Sequence, residues 1–328
     1  MKRFLAIFHA RNIEFMRDRA ALAWGLIFPT ALMFGFAFLF SSGDQTLYKV
    51  GVAGNIEHPF MHTQYINFIP VKNLETAITK VERHQLDLLI APEQSRYWVN
   101  ASSPAGYISE QLLKVSGGET LQRSPVSGKE VRYIDWLLPG VLGMNMMFSA
   151  LFGIGFVIVR YRKNGVLKRL RGTPLSATEF LLAQIFSRLL LIIFVTTIVY
   201  IGCDLILDFT MHGSYFNLFL VFSLGSLAMI AFGLLIASRL KSDEVAAGIT
   251  NAISIPMMLL SGVWFSLEGS PSWVTFVSDL LPLTHVVDAS RAIMLDGAGL
   301  LDISQHIIAL AVMLVVFLLL GVKLFRWE

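Results

Sequence analysis

"LLPGVLGMNMMFSALFGIGFVIV" (Leu137–Val159) carries no charged residue. A helix needs about 20 apolar residues to cross the hydrocarbon core of a bilayer, and this stretch supplies them. It runs straight into "RYRKNGVLKRLRGTPLS" (Arg160–Ser176), which holds Arg160, Arg162, Lys163, Lys168, Arg169 and Arg171 and no acid. A charge-free run ending in a cationic cluster marks a span that leaves the membrane on its cytoplasmic side.

Working outward, five more runs fit the same template. They are Ala20–Phe40, Phe180–Cys203, Tyr215–Ser238, Val245–Leu267 and Ile303–Val322. Pro29 and Pro256 fall inside two of them, which packed neighbouring helices tolerate. Arg188 falls inside a third and is expected near an interface, with its head snorkelling to water. The 328-residue chain is 55% hydrophobic and only 15% charged, against about 25% charged in soluble domains. The expected fold class is therefore an α-helical integral membrane protein with six transmembrane helices. A small α/β extracytoplasmic domain is expected between helices 1 and 2.

The flanking charges orient the spans. Lys2, Arg3, Arg11, Arg17 and Arg19 precede the first, Arg239 and Lys241 follow the fourth, and Lys323 and Arg326 end the chain. The positive-inside rule then places both termini in the cytoplasm. Residues 1–19 read as a cytoplasmic amphipathic helix, and 20–40 as transmembrane helix 1, a retained anchor rather than a signal peptide. Residues 134–328 hold helices 2–6, with a cytoplasmic coupling loop at 160–178 and an extracytoplasmic or re-entrant segment at 268–302. The net charge of +3 is too small to indicate a nucleic-acid partner, and the single cysteine, Cys203, permits no internal disulfide.

The long first loop, residues 41–133, reads as a folded unit. "YKVGVAGN" (Tyr48–Asn55) is a strand pattern. Asn73 caps a helical repeat at Leu74, Ala77, Ile78 and Val81. "LDLLIAP" (Leu86–Pro92) and "RYWVNA" (Arg96–Ala101) follow as strands, and 117–128 as the segment returning the chain to the membrane.

No catalytic or metal-binding pattern is complete. The nearest approach to a P-loop, around Gly128-Lys129-Glu130, has Arg123 where the first glycine belongs and Glu130 in place of the hydroxyl that holds magnesium. His58 and His62 are separated by Pro59, which interrupts a helical metal face. No cofactor and no metal are therefore expected on this chain. His285, Asp288 and Arg291 recur at i, i+3 and i+6 after Pro282, a helix-start residue. They form a candidate pore-facing or gating stripe.

These features together resemble the ABC-2 type exporter permeases, over nearly the whole chain. "KNGVLKRLRGTPLSATEFLLAQI" (Lys163–Ile185) is similar to that family's loop before span three, with Gly165, Leu167, Leu170, Thr173, Pro174, Leu175 and Ser176 matching. Val166 stands for the usual Thr and Lys168 for the common Glu, and the acidic residue before the glycine is absent. "LPLTHVVDASRAIML" (Leu281–Leu295) resembles the stretch before the last span. The helix-then-strand run from Glu75 to Glu93 resembles the external domain. The resemblance implies that Gly165, Leu167, Lys168, Arg169, Leu170, Arg171, Thr173, Pro174 and Leu175 couple the chain to a separate cytoplasmic ABC ATPase, which binds the ATP. It further implies a second permease copy, identical or paralogous, in a bacterial inner membrane, and a periplasmic partner for residues 41–133. The alternative is a proton-coupled secondary transporter without an ATPase, using Asp204, Asp208 or His285.

Overall fold

A computed structural model describes residues 2–39, 48–54, 59–63, 66–71, 73–84, 86–117, 121–128, 132–209, 211–240, 242–267 and 270–325. Phe40, His58, Lys129, Glu130, Lys241 and Arg326, named above, lie outside the described residues. The chain divides into two units, Phe40–Tyr133 and Met1–Leu39 with Ile134–Glu328.

The larger unit is helical: α1 (Lys2–Arg17), α2 (Arg19–Leu39), α5 (Tyr133–Lys163), α6 (Val166–Arg171), α7 (Ala177–Leu207), α8 (Tyr215–Ala237), α9 (Asp243–Leu260), α10 (Ser272–Asp279), α11 (Pro282–Asp296) and α12 (Ser304–Leu324). Among the described residues four helical stretches are long and apolar enough to cross a membrane: Tyr133–Lys163, Thr178–Leu207, Tyr215–Ala237 and Ser304–Leu324. The first and fifth expected spans fall on α2, with its apolar stretch Gly25–Phe34, and on α9. At the centre of the unit, α5 buries Leu137, Leu138, Val141 and Met146 completely. Glycine brings α8 close to α5. A Cβ at Gly233 would stand 3.2 Å from Leu151 Cα and 3.3 Å from the Ala150 carbonyl. Close backbone approach of this kind is what holds helices together where the solvent is itself apolar.

Three expectations for this unit are corrected. The fifth helix does not run to Leu267. It stops at Leu260, the chain turns through Ser261, and Gly262 takes φ +65°. Hydropathy counts side chains and is blind to a left-handed residue inside an apolar run. Arg188 does not snorkel. Its Nε donates to the Ser149 carbonyl on α5 at 2.7 Å, and its guanidinium lies 5.4 Å from the Phe15 ring of α1. The basic segment is also less of a loop than expected, because Arg160, Arg162 and Lys163 form the last turn of α5.

The smaller unit is a five-stranded sheet in the order β2-β1-β3-β4-β5, built from β1 (Tyr48–Ala53), β2 (Ile66–Val71), β3 (Leu88–Ala91), β4 (Arg96–Asn100) and β5 (Gln122–Val126). Strand β1 pairs in parallel with β2 and β3, β4 runs antiparallel to β3, and β5 lies parallel to β4. Period-two alternation splits β3: Leu88 and Ile90 join one core with Leu113 of α4 (Pro104–Val115), while Leu89 and Ala91 join another with Ala77 and Val81 of α3 (Leu74–Glu82). Helices thus cover both faces. Asn73 caps α3 as expected, accepting from the Glu75 N–H at 3.0 Å. The segment 117–128 is more than a return path, since it contains β5. Edge strands tolerate proline, and Pro125 sits on that edge strand.

Glu110 of α4 is buried in this unit and is answered from three sides. Tyr97 donates to it at 2.9 Å, Lys114 lies at 2.9 Å and Arg123 at 3.0 Å. Burial pushes its carboxyl up, but these donors and charges outweigh that and hold it below the usual value. Burial and the same contact push the Tyr97 phenol up to about 12. A depressed carboxyl stabilises the fold above its unfolded pKa, and that stabilisation is lost as pH falls through the folded value. Glu110→Ala is expected to cost about 1–3 kcal/mol, read as faster limited proteolysis within residues 86–117 of the full chain at neutral pH. The wild type should approach the same cleavage rate in acid. Equal rates at neutral pH would show that the cluster contributes nothing.

Candidate functional site

The segment expected to couple lies where the ends of several helices meet. Gly165, at φ +66°, turns the chain between α5 and α6. A Cβ there would meet nothing within 4 Å, so the backbone angle, not space, asks for glycine. Helix α6 then turns Leu167 inward, where it is fully buried. Lys168, Arg169 and Arg171 are exposed, as are Thr173 and Pro174, while Leu170 and Leu175 are half-buried. The Thr173 hydroxyl donates to the Leu170 carbonyl at 2.6 Å and closes the end of α6. Ser176 and Glu179 then form a reciprocal capping box that starts α7. All nine residues expected to couple therefore share one short surface element. Leu167 is the exception in orientation: it anchors α6 to its own chain, which leaves Leu170 and Leu175 as the apolar contacts open to a partner.

Three contacts tie this element to the bundle. Arg162 reaches over the end of α8, donating to the carbonyls of Ala237 at 3.1 Å, Ser238 at 2.9 Å and Leu240. Those are the acceptors a helix C-terminus leaves unpaired, and a cation is favourable there. Lys163 pairs with Asp243 at the start of α9 at 3.1 Å. Open to water, this pair is screened and contributes little to stability. Arg3 of α1 donates to the Pro174 carbonyl.

Helix α1 is itself bound to the spans by polar contacts. Arg11 pairs with Glu14 at 2.9 Å and approaches the Gly153 carbonyl at 3.4 Å, Tyr161 donates to Glu14, and Ser187 donates to Asn12 at 2.5 Å. Gly153 makes room for this arrangement, because a Cβ there would fall 1.9 Å from the Arg188 guanidinium carbon. The amphipathic pattern of residues 1–19 made α1 visible in the sequence. The polar contacts to α5 and α7 were not visible, since they join residues more than a hundred positions apart.

The second candidate group lies on α11, which Pro282 starts and Gly297 ends. Its three residues do different things. Arg291 is a clamp: Nε donates to the Trp136 carbonyl at 3.1 Å, Nη2 to the Gly262 carbonyl at 2.7 Å, and the guanidinium lies 3.6 Å from the centre of the Trp136 ring. His285 joins His306 of α12. Its Nε2 lies 2.9 Å from the Asp279 carbonyl, which can only accept, so that nitrogen carries a proton. In a neutral ring Nδ1 then accepts from His306 Nδ1 at 3.1 Å, and His306 Nε2 accepts from Gln305 at 3.3 Å. Asp288 lines a cavity of about 400 Å³ with Trp136, Ser261, Asp279, Thr284 and Arg291. The carboxylates of the rival reading are placed as well. Asp204 accepts from the Phe209 N–H at 3.2 Å, and Asp208 takes φ +49°, so both close the end of α7. Among the described residues no group of three or more His, Cys, Asp or Glu side chains is placed to hold a metal ion.

Apolar helices that span a membrane, a short basic helix exposed beside their ends and two short helices near the last span define a membrane-embedded transport subunit. Residues 2–295 match the family model described as "ABC-2 type transporter". The chain belongs to that family and is the transmembrane permease subunit of an ABC transporter, a kind of protein that works with an ABC ATPase. It is 22% identical over 338 residues to the probable multidrug ABC transporter permease YbhS of Escherichia coli K12, covering 90% of this chain and 88% of that protein. It is 23% identical to the probable multidrug permease YbhR of the same strain, over 61% of this chain and 58% of the relative. To the daunorubicin resistance permease protein DrrB1 of Streptomyces coeruleorubidus it is 24% identical, over 59% and 69%.

Proposed function

We propose that two copies of this chain form the export path of an ATP-driven pump in a bacterial inner membrane, with α6 as the contact that receives the stroke of a separate ATPase. The observation that carries this is the build of α6: a short helix pinned by buried Leu167, presenting Lys168, Arg169 and Arg171, and joined directly to α5 and α7. In this reading α2 and α9 complete six spans, and both termini are cytoplasmic. Residues 41–133 are extracytoplasmic, where they can meet a periplasmic partner. His285, Asp288 and Arg291 belong to the outer gate. ATP is bound by the partner and not by this chain. The relatives named for multidrug transport and daunorubicin resistance favour a small amphipathic cargo.

Topology gives the first test. With Cys203 replaced by serine, cysteines introduced at Ser102 and Asn164 are expected to react with an impermeant maleimide from opposite faces of the membrane. Labelling of both from one face would overturn the six-span arrangement. Transport gives the second: proteoliposomes holding the chain and its ATPase should move cargo only with hydrolysable ATP. Movement driven by a proton gradient without the ATPase would favour secondary transport instead.

A further inference from the structure

The geometry points to a binding site for a protonated organic amine in the cavity between α5, the turn after α9, α10 and α11, with the Asp288 carboxylate as its counter-ion. The cavity holds about 400 Å³, within the usual range for small-molecule sites. Its charged lining is two carboxylates, Asp279 and Asp288, against one guanidinium, Arg291, so the excess is negative.

The two signs are not equally available. Arg291 gives its donors to backbone carbonyls, those of Trp136, Gly262 and, at 3.3 Å, Val263. Its flat face rests on the Trp136 indole. The hydroxyls are likewise engaged: Ser278 and Thr284 lie 3.1 Å apart, and Thr284 donates to Ser261 at 3.0 Å. Asp288 differs. Its side chain takes no hydrogen bond from any described residue, and Arg291 and His285 act on its charge only through space. A carboxylate open to the cavity and without a protein donor can exchange water for the N–H of a bound amine. Arg291 already occupies one face of the Trp136 ring, so the carboxylate rather than a cation–π contact reads the charge.

The lining also selects the kind of cation. A bare divalent ion needs six or more oxygen ligands, and the described residues gather no such set of metal-binding side chains. Trp136 and Leu267 offer apolar surface that a metal ion cannot use and the hydrocarbon body of an amine can. The wall is made partly by the turn at Gly262, so the site exists only because α9 stops at Leu260 instead of running on.

The test uses the full chain in nanodiscs, without ATPase, so its failure would leave the permease reading standing. The probes are naphthylmethylamine, protonated at neutral pH, and naphthalenemethanol, its uncharged analogue of the same size. Asp288→Asn is expected to weaken amine binding about tenfold, equivalent to about 1.4 kcal/mol, while the alcohol changes by less than about twofold on the same scale. In a chain with Cys203→Ser and Thr275→Cys, the amine should slow maleimide labelling of the new cysteine. It should not slow labelling of a cysteine placed at Asn164. Unchanged amine affinity in Asp288→Asn, or equal loss of both probes, would overturn the site. If Asp288→Asn fails to fold, the Thr275→Cys protection decides alone, and absence of protection rejects the proposal.

Discussion

Leu170→Asp is expected to separate this chain from its ATPase while leaving it inserted and folded. Leu170 is half-buried on α6 beside exposed Lys168, Arg169 and Arg171, so a partner that grips this helix covers its remaining surface. Covering the remaining part of a half-buried leucine is worth about half of the roughly 1.5–3 kcal/mol for full burial, and replacing it with a carboxylate removes that and adds a larger desolvation cost. A loss of at least about tenfold in ATPase affinity follows at 1.4 kcal/mol per decade, with ATP-driven transport falling in step. Lys168→Gln removes one exposed charge, worth about 0–1 kcal/mol, and should do much less. Leu167→Asp is a different experiment, because Leu167 is buried in its own chain and its loss should detach α6 itself. Co-purification of the ATPase and transport in vesicles measure all three. Normal transport in Leu170→Asp together with none in Lys168→Gln would replace the apolar contact with an ionic one.

Arg162→Ala should produce the largest loss of stability at the inner ends of the helices. It strips three carbonyls at the end of α8 of a charged donor. Hydrogen bonds to charged groups contribute roughly 1.5–3 kcal/mol each. Water reaching the vacated site recovers part, so a net loss of about 2–5 kcal/mol is expected. Arg162→Lys keeps the charge but loses the planar fork and should recover less than half. Thermal unfolding in nanodiscs reads the series. A melting temperature for Arg162→Ala indistinguishable from wild type would show that the cap is ornamental.

The spans were legible because bilayer crossing imposes a simple one-dimensional pattern, and α5, α7, α8 and α12 carry it. The end of α9 was illegible for the opposite reason: Ser261-Gly262 is a turn-type dipeptide, but it is only two residues long and a hydropathy window averages it into the apolar residues on either side. In the smaller unit β1 and β4 were readable from their β-branched and aromatic residues, and β3 from a short apolar run closed by Pro92. The missed strands, β2 and β5, contain Pro70 and Pro125, which argue against a strand unless its place at the edge is already known. Helix α4 was missed although Ser103 and Pro104 form a capped start, a signal that was present and not used. Motif order was enough to mark the residues of α6 and the turn after it as one element. The inward turn of Leu167 could not, because the side of a six-residue helix that faces the protein depends on what surrounds it. The same holds for Arg188, whose acceptor lies 39 residues away on another helix.

The length of α5 has a mechanical consequence. Its 31 residues make a rod of about 46 Å at 1.5 Å per residue. Arg162 fastens one end to α8, and Arg291 fastens the Trp136 carbonyl at the other. A stiff rod pivoting between two fastened ends delivers a small tilt at one end as a sideways throw at the other. Pro139 supplies no N–H to the carbonyl four residues before it, so the rod is weakest in bending within one turn of the Arg291 fastening. Any tilt of α5 is therefore expected to bend the rod beside the 400 Å³ cavity, so that the width of that cavity would follow the angle of α5.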